Sequence, residues 1–239
     1  MSQDKISVCM ATYNGEKYIQ QQIDSILPQL RSHDELIISD DQSTDKTIEI
    51  IHSYNDPRIK LFTNKQRQYI CSNFQNALSK ASGEYIILSD QDDVWLSNKI
   101  DLIYNKLKQY TLVITNCKIV DSNLAETGYT FFNNERKFHA GILYNIWKNS
   151  YIGCCMGFRS DILKYILPFP TSDIMHDLWI AIIAEHYGSI CYINTPTLLY
   201  RRHGLNASTS SEKSTKSLWF KFTYRIKTIY YLIKRILEK

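Results

Sequence analysis

The sequence predicts an α/β fold: a mainly parallel central sheet with helices on both faces, followed by a C-terminal amphipathic helical tail. Two observations carry this. Short apolar runs alternate with helix-periodic segments through the first half of the chain, the pattern of successive βα units. Three of those runs also break off into polar clusters of the kind that line ligand sites at the carboxyl ends of parallel strands.

Ile6-Ser-Val-Cys-Met-Ala-Thr12 reads as a buried strand ending in a polar loop, Thr12-Tyr13-Asn14-Gly15. Tyr18, Ile19, Gln22, Ile23, Ile26 and Leu27 then recur at helical spacing. Glu35-Leu-Ile-Ile-Ser39 is a second strand, discharging into Asp40-Asp41-Gln42-Ser43. Ser43 among its acids is a start signal for the helix carrying Ile48 and Ile51. A short strand at Ile59–Phe62, a helix from Ser72 to Ala81 and a strand at Glu84–Leu88 follow, the last running into Ser89-Asp90-Gln91-Asp92-Asp93-Val94-Trp95. Beyond it the reading is less regular: a strand at 112–120, a loopy stretch to about 140, and a strand from Ile152 to Arg159. A helix from Asp177 to Tyr187 and strands near 189–193 and 197–202 complete the body. With no repeat or low-complexity linker, the simplest parse is one domain, 1–212, and a tail, 213–239.

Composition narrows the function classes. At 239 residues, 44% hydrophobic and 22% charged, the chain is globular in type. Its start is polar and no window approaches ~18 uninterrupted apolar residues, so neither a signal peptide nor a membrane anchor is expected. Six cysteines without regular spacing, and without a Cys-x-x-Cys pair, read as reduced thiols rather than a disulfide framework or a structural zinc site. The sequon at Asn206 is then a chance match. The net charge of +4 is unevenly spread: residues 213–239 hold eight Lys/Arg against one acid, leaving the body near −3 and the tail near +7. A slightly acidic body does not read as a nucleic-acid binder.

The strongest chemical signal is Asp90-Gln91-Asp92-Asp93 at a strand end. Carboxylates so close repel one another unless a positive group sits among them. Mg²⁺ or Mn²⁺ supplies that charge, prefers oxygen ligands and shares its shell with phosphates. A solvated acidic turn is the plain alternative. Neither a Gly-x-x-x-x-Gly-Lys loop nor a Gly-x-Gly-x-x-Gly turn accompanies it, which excludes P-loop NTPases and Rossmann dehydrogenases.

Four segments, Ser7–Gly15, Ile38–Asp45, Gly83–Trp95 and Met175–Trp179, follow one another in the order and spacing of family 2 glycosyltransferases, which the chain resembles from residue 5 to about 206. With Tyr200-Arg201-Arg202-His203-Gly204-Leu205-Asn206, the set is most similar to bacterial rhamnosyltransferases of surface-polysaccharide assembly. The resemblance implies a GT-A fold, an inverting metal-dependent transfer, and a nucleotide-diphosphate sugar as donor, either dTDP-rhamnose or a UDP-sugar. It implies a lipid-linked glycan as acceptor. It also implies residue roles. Tyr13 lies against the pyrimidine, with Thr12 and Asn14 around it, and Asp41 accepts from the ring imide. Asp92 falls near the ribose and, with Asp93 and His203, at the metal. Arg201 or Arg202 grips the diphosphate. Asp177 is the general base, in a Met-His-Asp-Leu-Trp segment where the family usually has Glu-Asp. Gly153, Cys154 and His176 fall on the acceptor side, Gly153 and Cys154 in a strand whose small residues admit a ligand. Ordinary packing at Tyr13 and helix caps at Asp41 and Asp177 are the competing structural readings.

In the tail, Leu218, Phe222, Ile226, Ile229, Ile233 and Ile236 share one helical face and Lys221, Arg225, Arg235 and Lys239 another, with Trp219, Tyr224, Tyr230 and Tyr231 among them. That composition reads as an interfacial helix on an anionic membrane surface, dispensable for folding of the body. A helix docked on the body or on a second subunit is the alternative. The expected location is peripheral, on the cytoplasmic face of the bacterial membrane. Two rival functions share some of these features. A sugar nucleotidyltransferase would need an early Gly-rich basic loop, which Thr12-Tyr-Asn-Gly-Glu16 does not offer. A non-catalytic nucleotide-sugar or glycan-binding module would not need the carboxylates and Asp177.

Overall fold

The computed structural model describes residues 4–65, 67, 69–171, 173–204 and 217–238. Its centre is a parallel trio in which β1 (Ile6–Thr12) lies between β2 (Glu35–Asp40) and β4 (Tyr85–Ser89), with β3 (Ile59–Thr63) outside β2. All of β2 and β4 is buried, which is why these strands read as continuous apolar runs rather than alternating ones. The register sets Thr12 opposite Asp40 and Met10 opposite Ser89, so the three carboxyl ends, and the polar clusters that follow them, meet at one edge.

The returning helices hold that edge in place. Helix α1 (Ile19–Ile26) buries Ile19, Ile23 and Ile26, and Gln22 on the same face. The Gln22 amide donates to Ser89 Oγ at 2.7 Å and to the Asp90 carbonyl at 2.9 Å, so one polar residue on an apolar face anchors the end of β4. Helix α2 (Thr47–Ser53) starts later than Ser43, because Ser43 is used by Asp40 instead. Asp45 accepts from the Thr47 backbone and hydroxyl there. Helix α3 (Tyr69–Lys80) packs on β1 and β2 and buries Asn73 beside Phe74 and Ala77.

The second half folds onto the free edge of β4. The strand order is β3-β2-β1-β4-β8-β6-β9-β5, with β5 at Val94–Trp95, β6 at Leu112–Val120, β8 at Met156–Arg159 and β9 at Ile190–Arg201. A further strand, β7 (Glu126–Thr130), pairs with β6 off this path. The parallel character is concentrated in β3-β2-β1-β4 and the β6–β9 pair. β8 runs antiparallel to both β4 and β6, and β5 and β7 are antiparallel too.

Several segments differ from the sequence reading. Helix α4 (Lys99–Leu107) was not anticipated, although Lys99, Ile100, Ile103 and Leu107 are buried at helical spacing. The stretch expected to be loopy to about 140 contains β7, and α5 (Ile142–Trp147) follows it. Gly153–Cys155 is a 3₁₀ turn, so the strand expected from Ile152 begins only at Met156. The two strands expected near 189–193 and 197–202 are one, β9, whose pairing with β6 shifts register around Asn116, opposite Pro196. Proline has no N–H for a ladder, so a bulge is the expected accommodation. A short α6 (Leu163–Ile166) precedes α7 (His176–Tyr187), which buries every residue from Leu178 to Ala184 and so sits in the interior.

The tail forms α8 (Leu218–Leu237), and it docks on the body, against the expectation of a free interfacial helix. The boundary expected at 212/213 lies outside the described residues. The docked face is mixed, with Leu232, Tyr224, Tyr231 and Ile236 packed on the core beside Thr228 and Arg235. Thr228, Leu232 and Arg235 are buried, and Arg235 donates to the carbonyls of Tyr165, Leu167 and Pro168. Lys227 pairs with Asp173 at 3.0 Å, and Arg225 donates to the Trp147 carbonyl at 2.9 Å. Of the residues expected to share a face, Phe222, Ile226, Ile229 and Ile233 are exposed together, Ile236 packs against the core, and the Leu218 side chain lies outside the described residues.

Candidate active site

The edge where β1, β2 and β4 end is built from reciprocal hydrogen bonds. Asp41 N–H donates to the Thr12 carbonyl, which also accepts from the Asn73 amide. Asp41 is buried, and its carboxylate accepts from the Asn64 amide at 3.0 Å and from the Tyr69 backbone N–H at 2.8 Å. It thus meets the first N–H of α3, not the start of α2 that follows it in sequence. Asp40 accepts from the Ser43 backbone and hydroxyl in the turn ahead of α2. Asn14 holds a left-handed φ of 47° that turns the chain out of β1, receives the Thr44 N–H on its side chain, and donates its own N–H to Ser43 Oγ. Gln91 closes the arrangement from the next strand end, bonding both polar atoms of the Tyr13 backbone and accepting the Thr12 hydroxyl. Gly15 is required beside it: a Cβ there would stand 2.5 Å from Gln91 Oε1. The Tyr13 ring carries the Arg67 guanidinium at 4.1 Å.

The acidic cluster is partly buried and incompletely satisfied. Asp93 is 1% exposed; its Oδ1 accepts the Arg201 N–H at 3.1 Å, while Oδ2 has no partner among the described residues. Burial, reinforced by Asp92 and Asp90, pushes the Asp93 carboxyl well above its usual range. Burial followed by repulsion from Asp92 and Asp177 brings Asp90 up to about 7. Ligand atoms of Asp90, Asp93 and Cys154 lie within 4.8 Å of one another. A buried carboxylate oxygen without a partner costs about 1–3 kcal/mol, which a cation would relieve. The donor set thus fits a hard divalent cation, with Asp90 and Asp93 supplying oxygen and Cys154 a softer, less suited sulfur.

The opposite edge of the sheet offers a contrast. Glu35, also buried, is satisfied by Lys5, Lys60, Ser7 and Ser82, and despite its burial these bonds hold its carboxyl well below the usual range. Satisfied charge marks structure there, and unsatisfied charge marks a site here.

A cleft of about 460 Å³ opens beside the acidic cluster, lined by Asp90, Gly153, His176 and Asp177 among others. Asp177 stands in the first turn of α7, one residue past His176, with Met175 as the N-cap, so it is not the cap itself. It accepts the Leu178 N–H at 2.7 Å, and burial raises its carboxyl to about 6. A carboxylate with that affinity is suited to take a proton near neutral pH.

The structure sorts the remaining expected residues. His203 sits 2.8 Å from Asp92 and stacks on Tyr18 at 4.7 Å, while Asp90 and Cys154 stand beside Asp93. Arg201 is 2% exposed and donates to the Asp92 and Ser122 carbonyls and to Gln21, bracing the acidic loop. Arg202 is half-buried and its N–H donates to Val120. Cys154 is buried, its carbonyl accepting from Lys99, and its thiol belongs to the acidic cluster instead of the acceptor side. Gly153 does line the cleft, where a Cβ would meet His176 Nε2 at 2.8 Å. His176 stacks on Phe74 at 4.1 Å with both ring nitrogens unpartnered, and burial lowers it to about 3, so it stays neutral.

Three residues carry more of the site than their sequence signal suggested. Gln91 reads as a spacer between acids. Arg67 reads as part of a polar loop. Lys99 is wholly buried, 4.2 Å from the Trp95 ring centre and close enough to Asp93 and Asp90 to favour their charged forms. Burial in turn lowers the Lys99 ammonium.

The profile of glycosyl transferase family 2 matches residues 7–167, and the chain belongs to that family. It is 29% identical, over 90% of its length and 83% of the relative's, to the UDP-Glc:alpha-D-GlcNAc-diphosphoundecaprenol beta-1,3-glucosyltransferase WfgD of Escherichia coli. It is 30% identical to the dTDP-rhamnosyl transferase RfbG of Shigella flexneri, over 82% of this chain and 72% of that one. The fold is shared with S. aureus TarS 1-349 in complex with UDP-GlcNAc, at TM-score 0.74 and 20% identity, over 94% of this chain and 66% of that one. It is also shared with glucosyl-3-phosphoglycerate synthase of Mycobacterium tuberculosis in complex with Mn²⁺ and UDP, at TM-score 0.60 and 17% identity, over 97% of this chain and 80% of that one. The chain is a family 2 glycosyltransferase. Asp177 and Arg201–His203 lie beyond the profile match.

Proposed function

We propose that the chain transfers a hexose from a nucleotide-diphosphate sugar, dTDP-rhamnose or a UDP-sugar, to a hydroxyl of a lipid-linked glycan in bacterial surface-polysaccharide synthesis, with inversion and with Mg²⁺ or Mn²⁺. The observation that carries this reading is the placement of Asp177 and Asp90 in one cleft at the carboxyl edge of β1, β2 and β4. The names of the relatives support both donor classes and a diphosphoundecaprenol-linked acceptor.

Tyr13 and Asp41 receive the pyrimidine, Tyr13 against its face and Asp41 accepting the imide N–H that uracil and thymine share. The Asp41 carboxylate is already oriented by Asn64 and Tyr69, so little freedom is lost on binding. Asp90 and Asp93 would hold the divalent cation, which when bound supplies Lewis-acid stabilisation of the departing diphosphate. Arg202 is the arginine left to approach that phosphate charge. On the other side, the acceptor hydroxyl gives its proton to an Asp177 oxygen as its own oxygen bonds the anomeric carbon. The bond from that carbon to the diphosphate oxygen breaks at the same time, and the nucleoside diphosphate leaves with the electron pair. One displacement from the face opposite the leaving group inverts the centre. Action on a membrane-bound acceptor places the enzyme peripherally on the cytoplasmic membrane face; among the described residues no helix is long and apolar enough to cross a membrane.

Calorimetry of UDP and dTDP binding tests this directly. Affinity is expected to fall by about tenfold or more when EDTA replaces Mn²⁺, and equal affinity in the two would remove the metal from the reading.

A further inference from the structure

Helix α8 docks with one apolar face outward. Its body-facing side presents Leu232, Ile236, Thr228 and Arg235, and a second apolar stripe stays outside, with Phe222, Ile226 and Ile233 about half exposed, at 51%, 50% and 52%. Beside this stripe α5 exposes Leu143 and Trp147, at 76% and 69%, and Arg225 ties the two helices by stacking on the Trp147 ring at 3.8 Å. The stripe and α5 together form an apolar shelf, and such a shelf on a soluble domain needs an occupant.

The residues between shelf and cleft indicate which one. Lys221 and Arg225 stand one helical turn apart on α8 and both line the cleft that holds Asp177. The nearby Asp173 is already engaged by Lys227. Moving inward, the surface therefore reads apolar shelf, two cations, then the carboxylates of the cleft. A sugar joined through a diphosphate to a long apolar chain has the same three chemistries in the same order.

We propose that Lys221 and Arg225 bind the diphosphate of a polyprenyl-diphosphate-linked acceptor, its lipid lying on the α8/α5 shelf and its sugar reaching Asp177. This rests on the glycosyltransferase reading above and adds the subsite for the acceptor's charged linker. The paired cations act as the main contacts for the two phosphates, and the guanidinium of Arg225, oriented by the Trp147 carbonyl and ring, keeps further donors for them.

The test uses the full chain in EDTA, without donor, and three kinds of phosphatidylcholine vesicle. One is doped with undecaprenyl diphosphate, one with undecaprenol, and one with phosphatidylglycerol at matched surface charge. Co-sedimentation is expected to be about tenfold or more tighter on the diphosphate vesicles than on either of the others. Lys221→Gln with Arg225→Gln should reduce it to the undecaprenol level, whereas Lys221→Arg with Arg225→Lys should restore much of it, and Phe222→Gln with Ile226→Gln should weaken binding to all three. Melting temperature and UDP binding check that each variant is folded; if the double Gln variant is not, the single Lys221→Gln variant carries the comparison. Equal binding to phosphatidylglycerol vesicles would overturn the proposal in favour of a general anionic surface. So would an unchanged double Gln variant, or a dimer by ultracentrifugation with no vesicle binding. Because no sugar transfer is read, such a failure leaves the proposed function standing, and that function fails instead on nucleotide binding.

Discussion

The side-chain amide of Gln91 satisfies both polar atoms of the Tyr13 backbone: Tyr13 N–H donates to Gln91 Oε1 at 2.9 Å, and Gln91 Nε2 donates to the Tyr13 carbonyl at 3.1 Å. This couples the acidic loop after β4 to the residue expected against the nucleobase. Metal side and base side are thereby held as one rigid unit.

Gln91→Ala removes both bonds and the acceptor of the Thr12 hydroxyl. Nucleoside diphosphate affinity should fall by about tenfold, the loss of a pair of oriented hydrogen bonds at about 1–1.5 kcal/mol. Gly15→Ala should act the same way, since its Cβ would displace Gln91. Calorimetry with UDP and Mn²⁺ checks both, and unaltered affinity in Gln91→Ala would show that Tyr13 is positioned independently.

Asp93→Asn should raise the melting temperature of the metal-free protein while abolishing the increment that Mn²⁺ gives the wild type. The carboxyl is pushed up by burial and by its acidic neighbours, so a neutral isostere relieves that repulsion. A gain of about 1 kcal/mol corresponds to roughly 2–4 °C in a domain of this size. A variant with an unchanged Mn²⁺ increment would place the cation elsewhere.

Removing residues 213–239 should destabilise the body, contrary to the sequence expectation of a dispensable tail. Truncation strips Arg235 from three carbonyls and exposes the surface under Thr228 and Leu232. A loss of about 2 kcal/mol would lower the melting temperature by roughly 4–8 °C. Differential scanning calorimetry of the truncated chain checks it, and an unshifted transition would return α8 to the role of a free interfacial helix.

The parallel core was legible because its strands are apolar runs and each ends in a polar cluster. Thr12, Asp40–Asp41 and Asp90–Asp93 do converge, as neighbouring strand ends must. Partnership inside the cluster was less legible. Which of Asp90 and Asp92 turns toward Asp93 depends on loop geometry fixed by Arg201, a residue more than a hundred positions away. Helix α4 was hidden because Lys99 at its start reads as surface, whereas here a buried ammonium offsets the buried acids. The tail's helical periodicity was correct, but periodicity alone does not say which face meets the body. The side turned inward is the one that carries Leu232 and Ile236 together with the hydrogen bonds of Arg235.

Asp177 is the most direct test of the mechanism. Its carboxyl, raised to about 6 by burial, must be deprotonated to accept the acceptor's proton. At saturating Mn²⁺, which keeps Asp90 ionised, the transfer rate should therefore rise with pH up to about 6 and level off above it. Asp177→Asn should lower transfer by about 10² to 10⁴, remove that inflection, and leave UDP affinity near the wild-type value. The decisive measurement is the pH–rate profile of the Asp177→Asn variant beside the wild type. A flat, strongly depressed profile is the expected result. Near-full turnover with the inflection near pH 6 intact would contradict Asp177 as the base.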